Sequence, residues 1–281
     1  CTISKVTDDI VANVSPEVDR YYIPHAVDQK VFKKLSKNDV MNAKIQTLGS
    51  DAKDKFVFLW NNRNARRKQS GSLIFWFKEF LDKVGHDKAC LIMHTDPKDP
   101  NGQDLIQIVE HLKMDDGQVL MSREKYPPEN LAMMYNIADC TINISDAEGF
   151  GLATLESLAC QTPIIVSMTG GLQEQVTNGE EWFGIGIEPA SKSIIGSQEI
   201  PWIREDRLNQ EDVVNAMNKM YEMSKEERES LGERGLQHVR TNYDFENFEN
   251  TWVNTIDGIH EKYGSWDTRK EYTSWSLTEI K

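Results

Sequence analysis

Cysteine is scarce in this chain. Four residues, Cys1, Cys90, Cys140 and Cys160, are spread over 281 positions, and none forms a CxxC pair. That spacing argues against a disulfide-stapled scaffold, and three of the four sit in or beside apolar elements that favour buried, reduced thiols. The six histidines are scattered, with neither HxxxH nor HExxH spacing, so no metal site is expected. An excess of positive charge is also missing. The net charge of −13 argues against duplex nucleic acid or an anionic membrane as main partner, although a local basic cluster can still hold a small anion. No run of eighteen apolar residues exists, so no transmembrane segment is expected; nor does a signal peptide open the chain, and a cytoplasmic location is the expectation. Short repeats and low-complexity tracts are absent. A hydrophobic fraction of 39% over this length suits one large α/β domain or two small ones.

From Phe56 onward apolar runs alternate with amphipathic ones. Strands are expected at 56–60, 89–94, 119–121, 140–144 and 164–166. Helices are expected at 72–84, 102–112, 131–137, 152–160 and near 171–177, with further helices at 210–222, 225–241 and 244–263. Strand–helix alternation implies a doubly wound parallel sheet, α/β and Rossmann-like, with extra C-terminal helices. Four segments follow. Residues 1–50 form a linker and N-terminal segment with a helix near Val6–Val14, a short strand at Tyr21–Pro24 and a surface helix within 33–54. Residues 51–188 form the binding domain. Residues 189–208, with Pro189, Gly196 and Pro201, read as a long loop. Residues 209–281 supply helices and a tail bearing Trp266, Tyr272 and Trp275.

The most informative stretch is Ser145-Asp146-Ala147-Glu148-Gly149-Phe150-Gly151-Leu152-Ala153-Thr154-Leu155-Glu156. A strand, a glycine-bearing loop and a helix N-terminus make an anion site, because free N–H groups and the positive end of the helix dipole meet at one spot. Gly149 and Gly151 allow close backbone approach. Glu148 and Glu156 bracket that spot, so a sugar or ribose joined to phosphate suits it. Three further clusters fall at expected strand or turn ends: the basic run Asn62–Lys68, the turn Gly170-Gly171-Leu172-Gln173-Glu174, and Pro24-His25-Ala26-Val27-Asp28. Arginine offers a planar fork to phosphate, and lysine a mobile point charge. Alone, the basic run reads as a solvated loop, the glycine turn as a helix start with a capping acid, and Pro24–Asp28 as a simple turn.

Together they resemble the C-terminal, donor-binding domain of retaining glycosyltransferases of the GT-B fold, in the group 1 (family 4) set, over residues 20–260. The matching features are Ile23-Pro24-His25-Ala26-Val27-Asp28 through Phe32, Arg63 with Lys68, Glu148-Gly149-Phe150-Gly151-Leu152 leading to Glu156, and Gly170-Gly171 leading to Glu174. Ala26, Asn62 and Gln69 stand where that family has glycine. The resemblance implies sugar transfer from a nucleotide-diphosphate donor with retention and no cofactor; no DxD motif stands at a strand end and the basic pair supplies positive charge, so no essential metal is expected. It implies that Arg63 and Lys68 stabilise the leaving phosphate, Glu148 faces the donor sugar and Glu156 accepts from the ribose. Gly149, Phe150, Gly151, Leu152, Gly171 and Glu174 line the donor site. The acceptor stays unnamed, and the family's N-terminal acceptor domain has no room here, so the chain is expected to carry the donor half. Alternatives are a non-catalytic nucleotide-sugar module or another GT-B chemistry, phosphorylase or epimerase. Base contacts are expected from the backbone at Val119–Ser122.

Overall fold

The structure, a computed structural model, describes residues 1–50, 53–265 and 267–270. Trp266, Tyr272 and Trp275 of the expected aromatic tail lie outside these residues. Six parallel strands form the central sheet: β1 (Phe56–Asn61), β2 (Ala89–His94), β3 (Val119–Ser122), β4 (Cys140–Asn143), β5 (Ile164–Ser167) and β6 (Gly184–Ile187). Their order is β3-β2-β1-β4-β5-β6. The order reverses between β1 and β4, so loops leaving these two strands diverge and open a crevice at their carboxyl ends.

β1 explains why two helical layers are needed. Phe56, Phe58 and Trp60 face one layer with Leu73, Phe77 and Phe80 of α3 (Ser70–Val84), Val109 of α4 (Leu105–Leu112) and Met217 of α8 (Gln210–Glu222). Val57 and Leu59 face the other, with Tyr135 of α5 (Pro128–Ile137), Leu155 and Leu158 of α6 (Leu152–Ala159) and Val239 of α9 (Lys225–Asn242). A strand buried on both faces needs a continuous apolar run, which Phe56–Trp60 supplies. Cys90, Cys140 and Cys160 are buried free thiols, whereas Cys1 is exposed. Burial pushes Cys90 up to about 11 and Cys160 up to about 12.

Several expectations are adjusted. Residues 189–208 are no loop: β7 (Ser191–Ile195) and β8 (Ile203–Arg207) form an antiparallel hairpin, pairing Ser191 with Arg207 through Ile195 with Ile203. Pro189 precedes β7, while Gly196 and Pro201 lie in the turn, so none of the three interrupts the ladder. β6 was not expected, because glycines at 184 and 186 erase the apolar signal of a strand. α4 starts at Leu105 rather than near Gly102, since Asp104 caps it by accepting from the Gln107 amide. The strand at Tyr21–Pro24 reduces to one bridge between Thr2 and Tyr22.

Four more helices stand among the described residues. α1 (Lys5–Val14) and α2 (Lys37–Leu48) precede the sheet, α7 (Leu172–Val176) follows β5, and α10 (Phe245–Tyr263) ends the helical set. Among the described residues no helix is long and apolar enough to cross a membrane.

Candidate functional site

The loop after β1 is shaped by Asn64, which has no exposure. Its amide donates to the Gln103 carbonyl at 2.7 Å, and its Oδ1 accepts from the Ser70 hydroxyl at 2.7 Å. So anchored, the chain makes a single 3₁₀ turn at Arg66–Lys68 and enters α3 through Gln69 at φ 54°. Lys68 turns inward, and its ammonium is bonded to the Glu148 carboxylate. Burial lowers the Lys68 pKa, against the opposing pull of Glu148. Arg67 lies beside it, donating to the Ala147 carbonyl at 2.6 Å and standing 3.8 Å from Glu148.

The loop after β4 receives these cations. Ser145 and Asp146 are buried. The Ser145 hydroxyl donates within reach of the Arg67 and Ala147 carbonyls, at 3.1 and 2.8 Å, and the Asp146 amide donates to the Arg67 carbonyl at 2.8 Å. α6 then begins at Gly151, φ 95°, with no side-chain cap. An uncapped helix start leaves backbone donors to a ligand anion. Gly151 needs its positive φ, whereas Gly149 is exposed and its missing Cβ would meet only Ile3 at 3.9 Å. At the end of β4, Asn143 Nδ2 is buried without an acceptor among the described residues, a further donor that a ligand oxygen would satisfy.

Gly170 and Gly171 bring the β5–α7 turn against this loop. A Cβ on Gly170 would fall 1.7 Å from the Glu148 carbonyl oxygen, and one on Gly171 2.7 Å from Phe150 Cα. Phe150 itself is a packing residue, 3% exposed, set edge-to-face on His25 at 5.2 Å and Tyr243 at 5.8 Å. Leu152 is half exposed. His25 thereby seats the Pro24–Asp28 turn on the same loop.

Glu156 sits on the second turn of α6. It accepts from the Tyr135 hydroxyl at 2.6 Å, which in turn accepts from Asn61 Nδ2 at 2.8 Å. Burial raises the Glu156 pKa, and the Tyr135 hydrogen bond opposes that rise. Glu174 has a different setting. Its carboxylate accepts from the Lys5 amide at 2.8 Å and the Tyr22 hydroxyl at 3.1 Å, so it closes the first turn of α1. Burial raises its pKa as well.

The structure therefore joins Lys68, Glu148, Gly149, Gly151, Leu152 and Gly171 around one loop, with Glu156 on the helix that leaves it. Arg63 is turned elsewhere. Its guanidinium is exposed and bonds Asp99 through Nε at 2.7 Å and Nη2 at 3.2 Å. Sequence reasoning noted the basic run but singled out Arg63; adjacency to Lys68 was the available signal for Arg67. It missed Tyr135 and Asp146, and also the stack of His94 on Tyr126 at 5.1 Å, with His94 Nδ1 2.8 Å from Ser122 Oγ at the ends of β2 and β3. Among the described residues no group of three or more His, Cys, Asp or Glu side chains is gathered for a metal. A groove of about 940 Å³, lined by Lys34, Lys44, Lys55 and Asp139 among others, opens at the amino ends of the strands and is separate from this site.

A 3-2-1-4-5-6 parallel sheet with an anion-ready loop at its switch point defines a Rossmann-like domain of the GT-B type. The chain belongs to the family Glycosyl transferases group 1, whose sequence model matches residues 42–238. One relative is N-acetyl-alpha-D-glucosaminyl L-malate synthase of Bacillus anthracis, 23% identical over 215 residues, which are 76% of this chain and 52% of that protein. Sucrose-phosphate synthase from Thermosynechococcus elongatus superposes with a TM-score of 0.72 at 20% identity, over 93% of this chain and 58% of that one. Anabaena HepE in complex with UDP and glucose superposes with a TM-score of 0.68 at 15% identity, over 91% and 62%. The chain thus spans about half the length of the first of these relatives.

Proposed function

We propose that this chain is the donor-binding half of a retaining glycosyltransferase that takes its sugar from a nucleoside-diphosphate donor. The observation that carries this reading is the meeting of Lys68, Arg67 and Glu148 at the uncapped start of α6, at the switch point of the sheet. The HepE complex holds UDP and glucose, which favours a nucleotide-sugar donor here too.

The roles follow from charge. Departure of the diphosphate builds negative charge, which Lys68 and Arg67 neutralise beside the α6 amides; one such electrostatic group is worth roughly 10²–10³ in rate. Arg63, whose own side chain is largely exposed, joins them only by leaving Asp99. Glu148, released from Lys68 by the incoming phosphate, turns to a sugar hydroxyl and to the positive character of the ring. Glu156 accepts from the ribose. With the leaving charge met by side-chain cations, no metal is required. The acceptor binds to a part of the protein corresponding to the other half of the relatives.

The test is a thermal-shift panel of UDP, GDP, ADP and CDP on the wild type, Lys68→Ala and Arg63→Ala. A diphosphate at about 100 times its Kd stabilises the fold by about 2.7 kcal/mol. The expected outcome is a selective shift by one diphosphate, abolished in Lys68→Ala and reduced in Arg63→Ala. No shift with any of the four would overturn the donor reading.

A further inference from the structure

The hairpin β7–β8 reaches the site through charge rather than through apolar packing. Glu205 is 4% exposed and accepts both guanidinium nitrogens of Arg66, at 2.5 and 3.1 Å. It also accepts from Arg207 Nη2 at 2.9 Å. Arg207 Nη1 stands 3.1 Å from Asp146, and Arg66 Nη1 stands 3.8 Å from the same carboxylate. Glu205, Arg66, Asp146 and Arg207 therefore alternate in sign around a closed ring. Gln69 Nε2 adds a bond to Asp146 at 2.5 Å, and the Asp206 amide donates to the Asp146 carbonyl at 2.8 Å. Each member stands beside the site. Arg66 precedes Arg67 and Lys68, and Asp146 is two residues from Glu148.

We propose that Glu205 and Arg207 are positioning residues, and that the hairpin is a strut fixing the basic turn relative to the Glu148 loop. This rests on the donor reading above. Two arguments favour a positioning role over a stabilising one. The hairpin has little core of its own: Ile194, Ile200 and Trp202 are exposed, the last at 81%. Two-stranded hairpins are marginal by themselves, so the ring, not the hairpin, sets where β8 lies. Second, two carboxylates sunk to 3 and 4% exposure are a costly way to gain stability, because apolar packing of the same volume does as well. What such a ring adds is register. Bidentate guanidinium–carboxylate pairs fix direction as well as distance, and here the Arg66–Glu205 pair, tied through Arg207 to Asp146, holds the basic turn and the Glu148 loop in the register at which the Asp146 amide meets the Arg67 carbonyl.

The test uses the full chain with Glu205→Gln and Arg207→Lys, with Trp202→Ser as a control in the exposed turn. Amide hydrogen exchange is read at residues 65–69 and 145–149 against the sheet core. Affinity is read by calorimetry with UDP, GDP, ADP and CDP. The strut predicts faster exchange confined to those two loops and the hairpin. It also predicts affinity about tenfold weaker for whichever diphosphate the wild type binds, with the control unchanged. Faster exchange restricted to 191–207, or unaltered affinity in Glu205→Gln, would overturn it. Wild-type chain that binds none of the four would sink the donor reading instead, and the exchange arm would still decide whether the hairpin holds the loops.

Discussion

Lys68 and Glu148 neutralise each other at the point where the β1 and β4 loops meet, with only 8% and 10% of their side chains exposed. The pair closes the basic turn onto the start of α6 and keeps each charge compensated in a nearly dry position. A ligand phosphate can replace Glu148 as the counter-ion of Lys68, and a sugar hydroxyl can replace Lys68 as the donor to Glu148. Under the proposed donor reading, the pair is a placeholder with the same polarity as a sugar phosphate.

A double-mutant cycle checks this coupling. Breaking a buried pair costs about 3–5 kcal/mol, because one charge is left unpaired. Arg67, 3.8 Å from Glu148, softens the loss on the lysine side. Lys68→Met is therefore expected to cost about 2–3 kcal/mol in urea unfolding, and Lys68→Met/Glu148→Gln less than the two single losses added. Strict additivity would show that the two side chains do not share their energy.

Glu156 gives a pH-dependent prediction of opposite sign to that of an ordinary ion-paired acid. Burial raises its folded pKa above 4.5. Between those two values the folded state binds more protons than the unfolded chain, so stability falls as pH rises through the window. Above it, the carboxylate's burial cost is fully felt. Glu156→Gln keeps an oxygen for the Tyr135 hydroxyl and removes the charge. The variant is expected to melt at or above the wild-type temperature at neutral pH, the difference closing as pH falls toward 4.5. Diphosphate affinity is expected to drop roughly 10–100-fold, since hydrogen bonds to a charged acceptor are worth about 1.5–3 kcal/mol. Melts across pH, paired with calorimetry, measure both. A variant less stable than wild type at neutral pH would refute the burial argument.

Much of this site was readable in the chain, for a physical reason. Strand, glycine and helix start are local signals, and Cys140–Asn143, Gly151 and Leu152–Ala159 fall together within twenty residues. Buried parallel strands such as Phe56–Asn61 and Ile164–Ser167 stand out because both faces need apolar side chains. What stayed hidden depends on distant contacts. Arg63 carries no mark of its pairing with Asp99, thirty-six residues on. Glu205 and Arg207 lie in a polar strand, and only the fold brings them to Arg66 and Asp146. β6 was hidden by its glycines, which sit where Ile164 and Met168 leave no room for a side chain.

Glu174 provides the last prediction, because its family-like position and its contacts point in different directions. The resemblance places it at the donor. In this structure both carboxylate oxygens are used by the N-terminal segment, one by the Lys5 amide and one by the Tyr22 hydroxyl. Its backbone carbonyl meanwhile lies 2.8 Å from His238 Nε2 and accepts the Tyr243 hydroxyl at 3.2 Å. A carboxylate at the start of α1 also meets the positive end of that helix. Glu174→Ala leaves two donors without their acceptor, at a cost of about 1–3 kcal/mol. Trypsin should then cut faster at the exposed Lys5 and Arg20, read by mass spectrometry, while diphosphate affinity changes by less than about threefold. A large loss of affinity with unchanged cleavage would return Glu174 to the donor and make its bonds to α1 incidental.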